Sequence, residues 1–178
     1  MNEALGDLTG FRFCPRCGRE SLQADSMKSW SCWACGFRYF HNVAVAVALL
    51  LRVDGHLLFA RRAHAPAAGL LDFPGGFVDP GETLEQAMVR ELEEELGMAT
   101  EPAALRYAFS GCNSYPYADV TYLTADVFFL LELAERPQLR CADDVIEAQW
   151  HPVDSIPWDQ LAFPTVAHAV RRLLEDDR

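Results

Sequence analysis

Between Gly76 and Met98 the chain reads Gly76, five residues, Glu82, seven residues, then Arg90-Glu91-Leu92-Glu93-Glu94-Glu95-Leu96-Gly97-Met98, and no other stretch restricts the fold so tightly. Thr83 followed three residues later by Gln86 has the form of a capping box, and Gly97 supplies the left-handed residue that ends helices. The spacing predicts a helix from Leu84 to Leu96. At about 100° per residue, Leu84, Met88, Leu92 and Leu96 sweep out one apolar side, edged by Ala87 and Val89, which must face a core.

On the same wheel Glu91 and Glu95 fall at or inside the edge of the apolar arc and Glu94 lies just beside it, while Glu93 points away. Like charges three and four residues apart cost a few tenths of a kcal/mol per pair even when exposed (about 0.2–0.5), and partial burial costs far more. A solvated acidic helix accounts for Glu85 and Glu93 but not for the other three. A hard divalent cation relieves the repulsion: Mg²⁺ binds carboxylate oxygens and commonly bridges to substrate phosphates. Glu91, Glu94 and Glu95 are therefore candidate metal ligands.

Gly76, Glu82, Arg90, Glu91, Leu92, Glu94, Glu95, Gly97 and Met98 together match the Nudix box at each of its defined positions. The chain thus resembles the Nudix hydrolases, which cleave nucleoside diphosphates linked to another group using Mg²⁺ or Mn²⁺. The resemblance implies that Gly75 lends a backbone carbonyl to the metal, that Arg90 orients the catalytic glutamates through charge-assisted hydrogen bonds, and that Glu82 supports the loop. It implies Glu94 or Glu147 as general base, because members of the family carry the base on the box helix or on a later loop. The pair Gly75-Gly76 suits a loop whose backbone approaches a ligand closely; a simple turn is the plainer account of Gly76.

Upstream lie Cys14-Pro15-Arg16-Cys17 and Cys32-Trp33-Ala34-Cys35, each followed by glycine. Two such pairs can grip one tetrahedral Zn²⁺ through four thiolates, leaving no open catalytic position. Disulfides or redox pairs are the alternative, but no secretory leader is evident and the chain reads as cytoplasmic, where thiols stay reduced. Cys112 and Cys141 read as ordinary semi-buried cysteines. No apolar run reaches the roughly 18 residues of a membrane span.

The net charge is −11, yet Phe11 to His41 carries five Lys or Arg against two acids, a balance of +3 that leaves −14 on the rest. So small a positive ribbon is the usual solvated surface, and the acidic remainder argues against broad nucleic-acid binding. Residues 1–41 are expected to form a zinc ribbon with a short N-terminal lead, and 42–178 a hydrolase domain.

Val43 to Leu51, the Asp54-Gly55 turn and Leu57 to Ala60 read as a hairpin. Tyr122 to Leu131 and Ile146 to His151 read as strands, the second preceded by the acidic stretch Asp143-Asp144-Val145-Ile146-Glu147, and Thr165 to Leu174 as a closing helix. The fold class is α/β, and the resemblance implies the Nudix-type α/β/α sandwich with a mixed β-sheet.

A four-cysteine ribbon directly before the box resembles the NADH pyrophosphatases, which makes NADH or NAD⁺ the first substrate to consider. Those enzymes usually carry an extra domain before the ribbon, whereas 13 residues precede Cys14, and they show Ser-Gln-Pro and further prolines after the box, which this chain lacks. In place of that motif stands Phe109-Ser110-Gly111-Cys112-Asn113-Ser114-Tyr115-Pro116-Tyr117, expected as a loop. There Tyr115 and Tyr117 either stack on a base or pack at a strand edge. Arg61, with Arg62 and His64, follows the first hairpin and is a candidate for phosphate or ribose. A nucleotide-type small molecule is the expected partner, and dimers are common in the family. A nucleotide sensor or an RNA-binding protein on the same fold is the competing class; the intact box glutamates favour catalysis.

Overall fold

The computed structural model describes residues 11–26, 28–117 and 120–176, so most of the expected N-terminal lead lies outside the described residues. The chain divides into two units, Met1–Ala44 with Ser114–Leu123, and Val45–Asn113 with Thr124–Arg178.

In the first unit β1 (Leu22–Ser26), β2 (Ser29–Cys32) and β3 (Arg38–Phe40) form an antiparallel sheet in that order. The register sets Leu22 against Cys32 and Trp30 against Tyr39. Its buried centre is Cys14, Leu22, Trp30 and Cys32, with Ala34, Phe37 and Tyr39 packed against it. So small an apolar core does not by itself stabilise a fold.

The larger sheet begins with β4 (Ala44–Val53) and β5 (His56–Arg62), joined through Asp54 and Gly55, whose φ values of 45° and 67° give the two-residue turn that matches strand twist. β6 is Leu71–Asp72, and the helix α1 runs Leu84–Leu96. After it come β7 (Arg106–Tyr117), β8 (Val120–Glu132), β9 (Val145–Pro152) and the helix α2 (Pro164–Asp176). The strand order is β6-β5-β4-β8-β7, with β9 on β5.

Because β9 pairs with β5 along its length, β4 and β6 share the other edge of β5, at its two ends. Past β6 the chain returns along β4: the Leu49 and Val47 amides donate to the Pro74 and Gly76 carbonyls at 2.9 Å each, and the Val78 amide to Val45 at 3.0 Å. The glycine loop is thereby laid against a strand.

The long apolar runs of β4 and β8 are those of a sheet covered on both faces. Val47, Leu49, Leu51, Val127 and Phe129 pack with Met88, Leu92 and Leu96 of α1. Leu50, Phe59, Phe128 and Leu130 pack on the opposite face with Val166, Ala169, Val170 and Leu173 of α2. The result is the expected α/β class, a mixed sheet between helices. Among the described residues no helix is long and apolar enough to cross a membrane.

Three local expectations are corrected. The Phe109–Tyr117 segment is not a loop but part of β7; that strand ends the sheet order, and an edge strand tolerates Pro116 because one row of its amides needs no partner. Arg61 and Arg62 do not follow the hairpin but are its last strand residues. The acidic stretch does not stop ahead of β9 but runs into it, and Glu147, within the expected strand Ile146 to His151, stands opposite Arg61.

Candidate functional site

The helix α1 forms as its local signals dictate. Thr83 accepts from the Gln86 amide, Gln86 accepts from the Thr83 amide, and Gly97 (φ 60°) donates to the Glu93 carbonyl while Met98 donates to that of Leu92. Its apolar side is buried at Ala87, Met88, Leu92 and Leu96, and Glu95 is buried with them at 5% exposure.

Arg90 organises the carboxylates. Its Nε and Nη2 donate to Glu82 at 2.8 and 3.0 Å, Nη2 also to the Phe77 carbonyl, and Nη1 to both Glu91 (2.8 Å) and Glu94 (2.9 Å). Glu82 is held below the usual carboxylate range first by Arg90, and Arg90 is raised first by Glu82. The second Glu82 oxygen accepts from the Asp79 amide at 3.1 Å, closing the turn that precedes the helix.

Glu95 has no share in the guanidinium contacts. Its Oε2 accepts from the Gly75 amide at 2.8 Å. Burial pushes its pKa up to about 8, and the charges of Glu91, Asp72 and Asp144 add to the shift. Burial also raises Glu91. Glu94 is the exposed member, its side chain 47% accessible, so it faces solvent more than the helical wheel suggests.

Gly75 has a positional reason to be glycine. At φ 144° a Cβ there would lie 2.1 Å from the Val47 carbonyl oxygen. At Gly76 a Cβ would meet Glu91 Oε1 at 2.5 Å, so the second glycine leaves room for a carboxylate. Gly75→Ala is expected to cost about 1–3 kcal/mol and to lower the thermal unfolding midpoint. An unchanged midpoint would show that the loop is not seated on β4.

The loop before β9 is fastened to the end of α1: the Arg140 and Ala142 amides donate to the carbonyls of Leu96 (2.8 Å) and Glu95 (2.9 Å). That brings the charge of Asp143 to bear on Glu91 and that of Asp144 on Glu95. The acidic stretch is plain in the sequence; which of its members come near α1 depends on this loop and on Asp143 at φ 53°. Glu147 accepts instead from Arg61 Nε at 3.4 Å and Gln149 Nε2 at 2.7 Å. Arg61 also donates to the Gly69 carbonyl at 2.6 Å, and exposed His64 lies 3.7 Å from Asp144.

So much negative charge, served among the described residues chiefly by the Arg90 guanidinium and the Gly75 and Asp79 amides, suits a hard divalent cation with oxygen ligands. Glu91, Glu94 and Glu95 offer such oxygens, but among the described residues they are not drawn into one metal-sized cluster.

In the other unit Cys14, Cys17, Cys32 and Cys35 bring their sulfurs within 4.8 Å of one another. Individual separations are 3.7 Å (Cys14 to Cys35), 3.8 Å (Cys17 to Cys32) and 3.5 Å (Cys32 to Cys35). A tetrahedral ion with metal–sulfur bonds of about 2.3 Å spaces its ligands about 3.8 Å apart, whereas a disulfide needs about 2.05 Å. The cysteines fit a metal and are not paired with one another. The Ser21 hydroxyl, 3.0 Å away, leads in lowering the Cys32 thiol to about 6, whereas burial and the neighbouring thiols push Cys35 up to about 11, so without a cation the four sulfurs do not all favour the thiolate.

Tyr115 and Tyr117, two residues apart on β7, share one face of the strand, with ring centroids 6.5 Å apart and planes 23° from parallel. They belong to the unit of the cysteines, not to that of the glutamates.

The chain belongs to the Nudix family: the NUDIX domain profile matches residues 40–174. Among its curated relatives is the NAD-capped RNA hydrolase NudC of Photorhabdus laumondii subsp. laumondii, 32% identical over 165 residues that cover 93% of this chain and 59% of that protein. The chain therefore spans under two thirds of that relative's length. The ADP-ribose pyrophosphatase of Methanocaldococcus jannaschii is 32% identical over 127 residues, 71% of each chain. A solved NUDIX hydrolase from Nitrosomonas europaea shares the fold, with a TM-score of 0.70 at 24% identity over 94% of this chain and 92% of that one.

Proposed function

We propose that the protein is a Mg²⁺- or Mn²⁺-dependent pyrophosphohydrolase that cleaves a nucleoside diphosphate linked to another group, releasing a nucleotide and a second phosphorylated fragment. The observation that carries this is the joint arrangement of Glu91 and Glu94 on Arg90 Nη1 and of buried Glu95 on the Gly75 amide. Glu91, Glu94, Glu95 and the Gly75 carbonyl would hold the cation, which supplies charge neutralisation at the pyrophosphate and activation of the attacking water.

The chain's own groups do the rest. Arg90 fixes the rotamers of Glu91 and Glu94, and the Gly75 amide fixes that of Glu95. Two carboxylates can accept the proton of the attacking water: Glu94, accessible on α1, and Glu147, accessible on β9 beside Arg61. Arg61 offers a cation to a phosphate or ribose, and Tyr115 and Tyr117 offer rings to a base.

The substrate class follows from what the named relatives share. NAD-capped RNA and ADP-ribose both contain adenosine diphosphate joined to a second ribose, so this chain is assigned compounds with that unit, NADH and NAD⁺ among them. The test is a panel of NADH, NAD⁺, ADP-ribose, dinucleoside polyphosphates, nucleoside triphosphates and capped RNA with Mg²⁺, followed by product analysis. Hydrolysis of the compounds built on ADP-ribose, yielding AMP, is the expected result; turnover of none would leave a nucleotide sensor as the function.

The cysteine site is assigned to structural Zn²⁺, and thiolate ligands suit a reducing, cytoplasmic setting. Elemental analysis of the intact protein is expected to give one zinc per chain, and zero would remove the ribbon's metal.

A further inference from the structure

The ribbon does not end at its metal site. Trp30, in the core beside Cys14 and Cys32, contacts Tyr39 at 6.1 Å and meets His41 edge-on at 6.3 Å. Tyr39 and His41 are 6.5 Å apart, and His41 reaches Tyr122 of β8 at 6.0 Å. Phe11 closes the cluster from the other side, 5.9 Å from Trp30 and 5.4 Å from Tyr39. Aromatic rings therefore run without a break from two of the sulfur ligands to the end of the β7–β8 hairpin. The same hairpin end carries Tyr115 and Tyr117, and residues Ser114–Leu123 group with the ribbon rather than with the sheet from which the strands come.

From these contacts we infer that the four-cysteine site is the support of this hairpin end, with His41 and Tyr122 as the joint, so that metal in the ribbon governs the placement of the tyrosine pair. The physical ground is the weakness of each part alone. Two strands at a hairpin end are marginal in water. Among the described residues the ribbon's buried apolar core is four residues, two of them cysteines, so its folding free energy has to come largely from the metal. If the metal is lost, the Trp30–Tyr39–His41 cluster loses its base and Tyr122 loses its contact.

The two units would then divide the work between two metals: carboxylates would hold the hard cation for chemistry, and thiolates would hold Zn²⁺ for the aromatic end of a hairpin. That the tyrosine pair receives a planar base rests on the function proposed above; the support itself does not.

The test uses the full chain in excess Mg²⁺, with and without a zinc-selective chelator, alongside Tyr122→Ala and Tyr122→Phe. Hydrogen exchange is read at the amides of Tyr115, Tyr117 and Tyr122 and, as a control, along α1. Zinc removal and Tyr122→Ala are each expected to speed exchange at the hairpin end more than tenfold with α1 unchanged, while Tyr122→Phe, which keeps the ring, behaves as the parent. Both Tyr122 variants should retain one zinc. An unchanged hairpin end after zinc loss overturns the inference.

Steady-state kinetics on ADP-ribose separate the two ideas. A roughly tenfold rise in KM with kcat within twofold links the supported tyrosines to substrate. A loosened hairpin end with unchanged KM keeps the support and removes the base contact. Absence of any hydrolysis overturns the proposed activity and leaves the exchange result standing.

Discussion

Glu94→Gln is expected to lower kcat by about 10²–10⁴ while leaving the unfolding transition where it was. Glu94 is an exposed side chain whose hydrogen-bonding partner is Arg90 Nη1 at 2.9 Å, and the amide keeps nearly the same shape and can still accept that bond. What it loses is the negative charge that a cation needs and the basicity that a proton acceptor needs. Glu147→Gln beside it decides where the proton goes. If Glu147→Gln retains full kcat, Glu94 or another box carboxylate is the base; if it matches Glu94→Gln, the β9 carboxylate shares that role. Turnover of Glu94→Gln equal to the parent would remove Glu94 from the metal site.

Arg90→Ala is expected to damage stability as well as turnover. The guanidinium serves Glu82, Glu91 and Glu94 together, and Glu91, whose side chain is only 12% accessible, has been raised by burial even with Arg90 in place. Removing the cation leaves a largely buried carboxylate with its neighbours' negative charge and no counter-ion, a change that costs about 3 kcal/mol. Arg90→Lys restores the charge but not the fork that reaches two carboxylates from one nitrogen and a third from the others. It should recover part of the stability and little of the activity. Denaturant unfolding with and without Mg²⁺ tests this: the loss should shrink when the cation is present, and a variant as stable as the parent would show that Arg90 is a surface residue.

Much of this site was legible in the chain because the signals are local. The capping box, the αL glycine and the apolar period of α1 are decided within 15 residues, and the helix has the predicted limits, Leu84 and Leu96. The four cysteines are likewise announced by spacing, since each pair closes a short loop that must present both sulfurs to one side. Strand β7 was missed because glycine, proline and asparagine lower local strand preference. Its pairing with β8 supplies hydrogen bonds that no window on the sequence contains. Asp143 and Asp144 were legible as acids but not as neighbours of Glu91 and Glu95, because that proximity comes from a loop bonded to the carbonyls at the end of α1.

The sequence by itself determined the kinds of group: which carboxylates share a helix with an apolar face and which thiols come in metal-sized pairs, while what Gly75 and Gly76 make room for, the Val47 carbonyl and Glu91, was decided by the fold. The tertiary structure decided how the carboxylates differ. Glu91 and Glu94 share Arg90, Glu95 is buried and turned to the amide of Gly75, and Glu147 is drawn off to Arg61. It also decided that a hairpin end from the middle of the chain belongs with the ribbon at its start. The reason is one of range. Helix period, capping and cysteine spacing act between residues a few positions apart, whereas burial, Coulomb fields and ring contacts act through space between segments that only the completed sheet brings together.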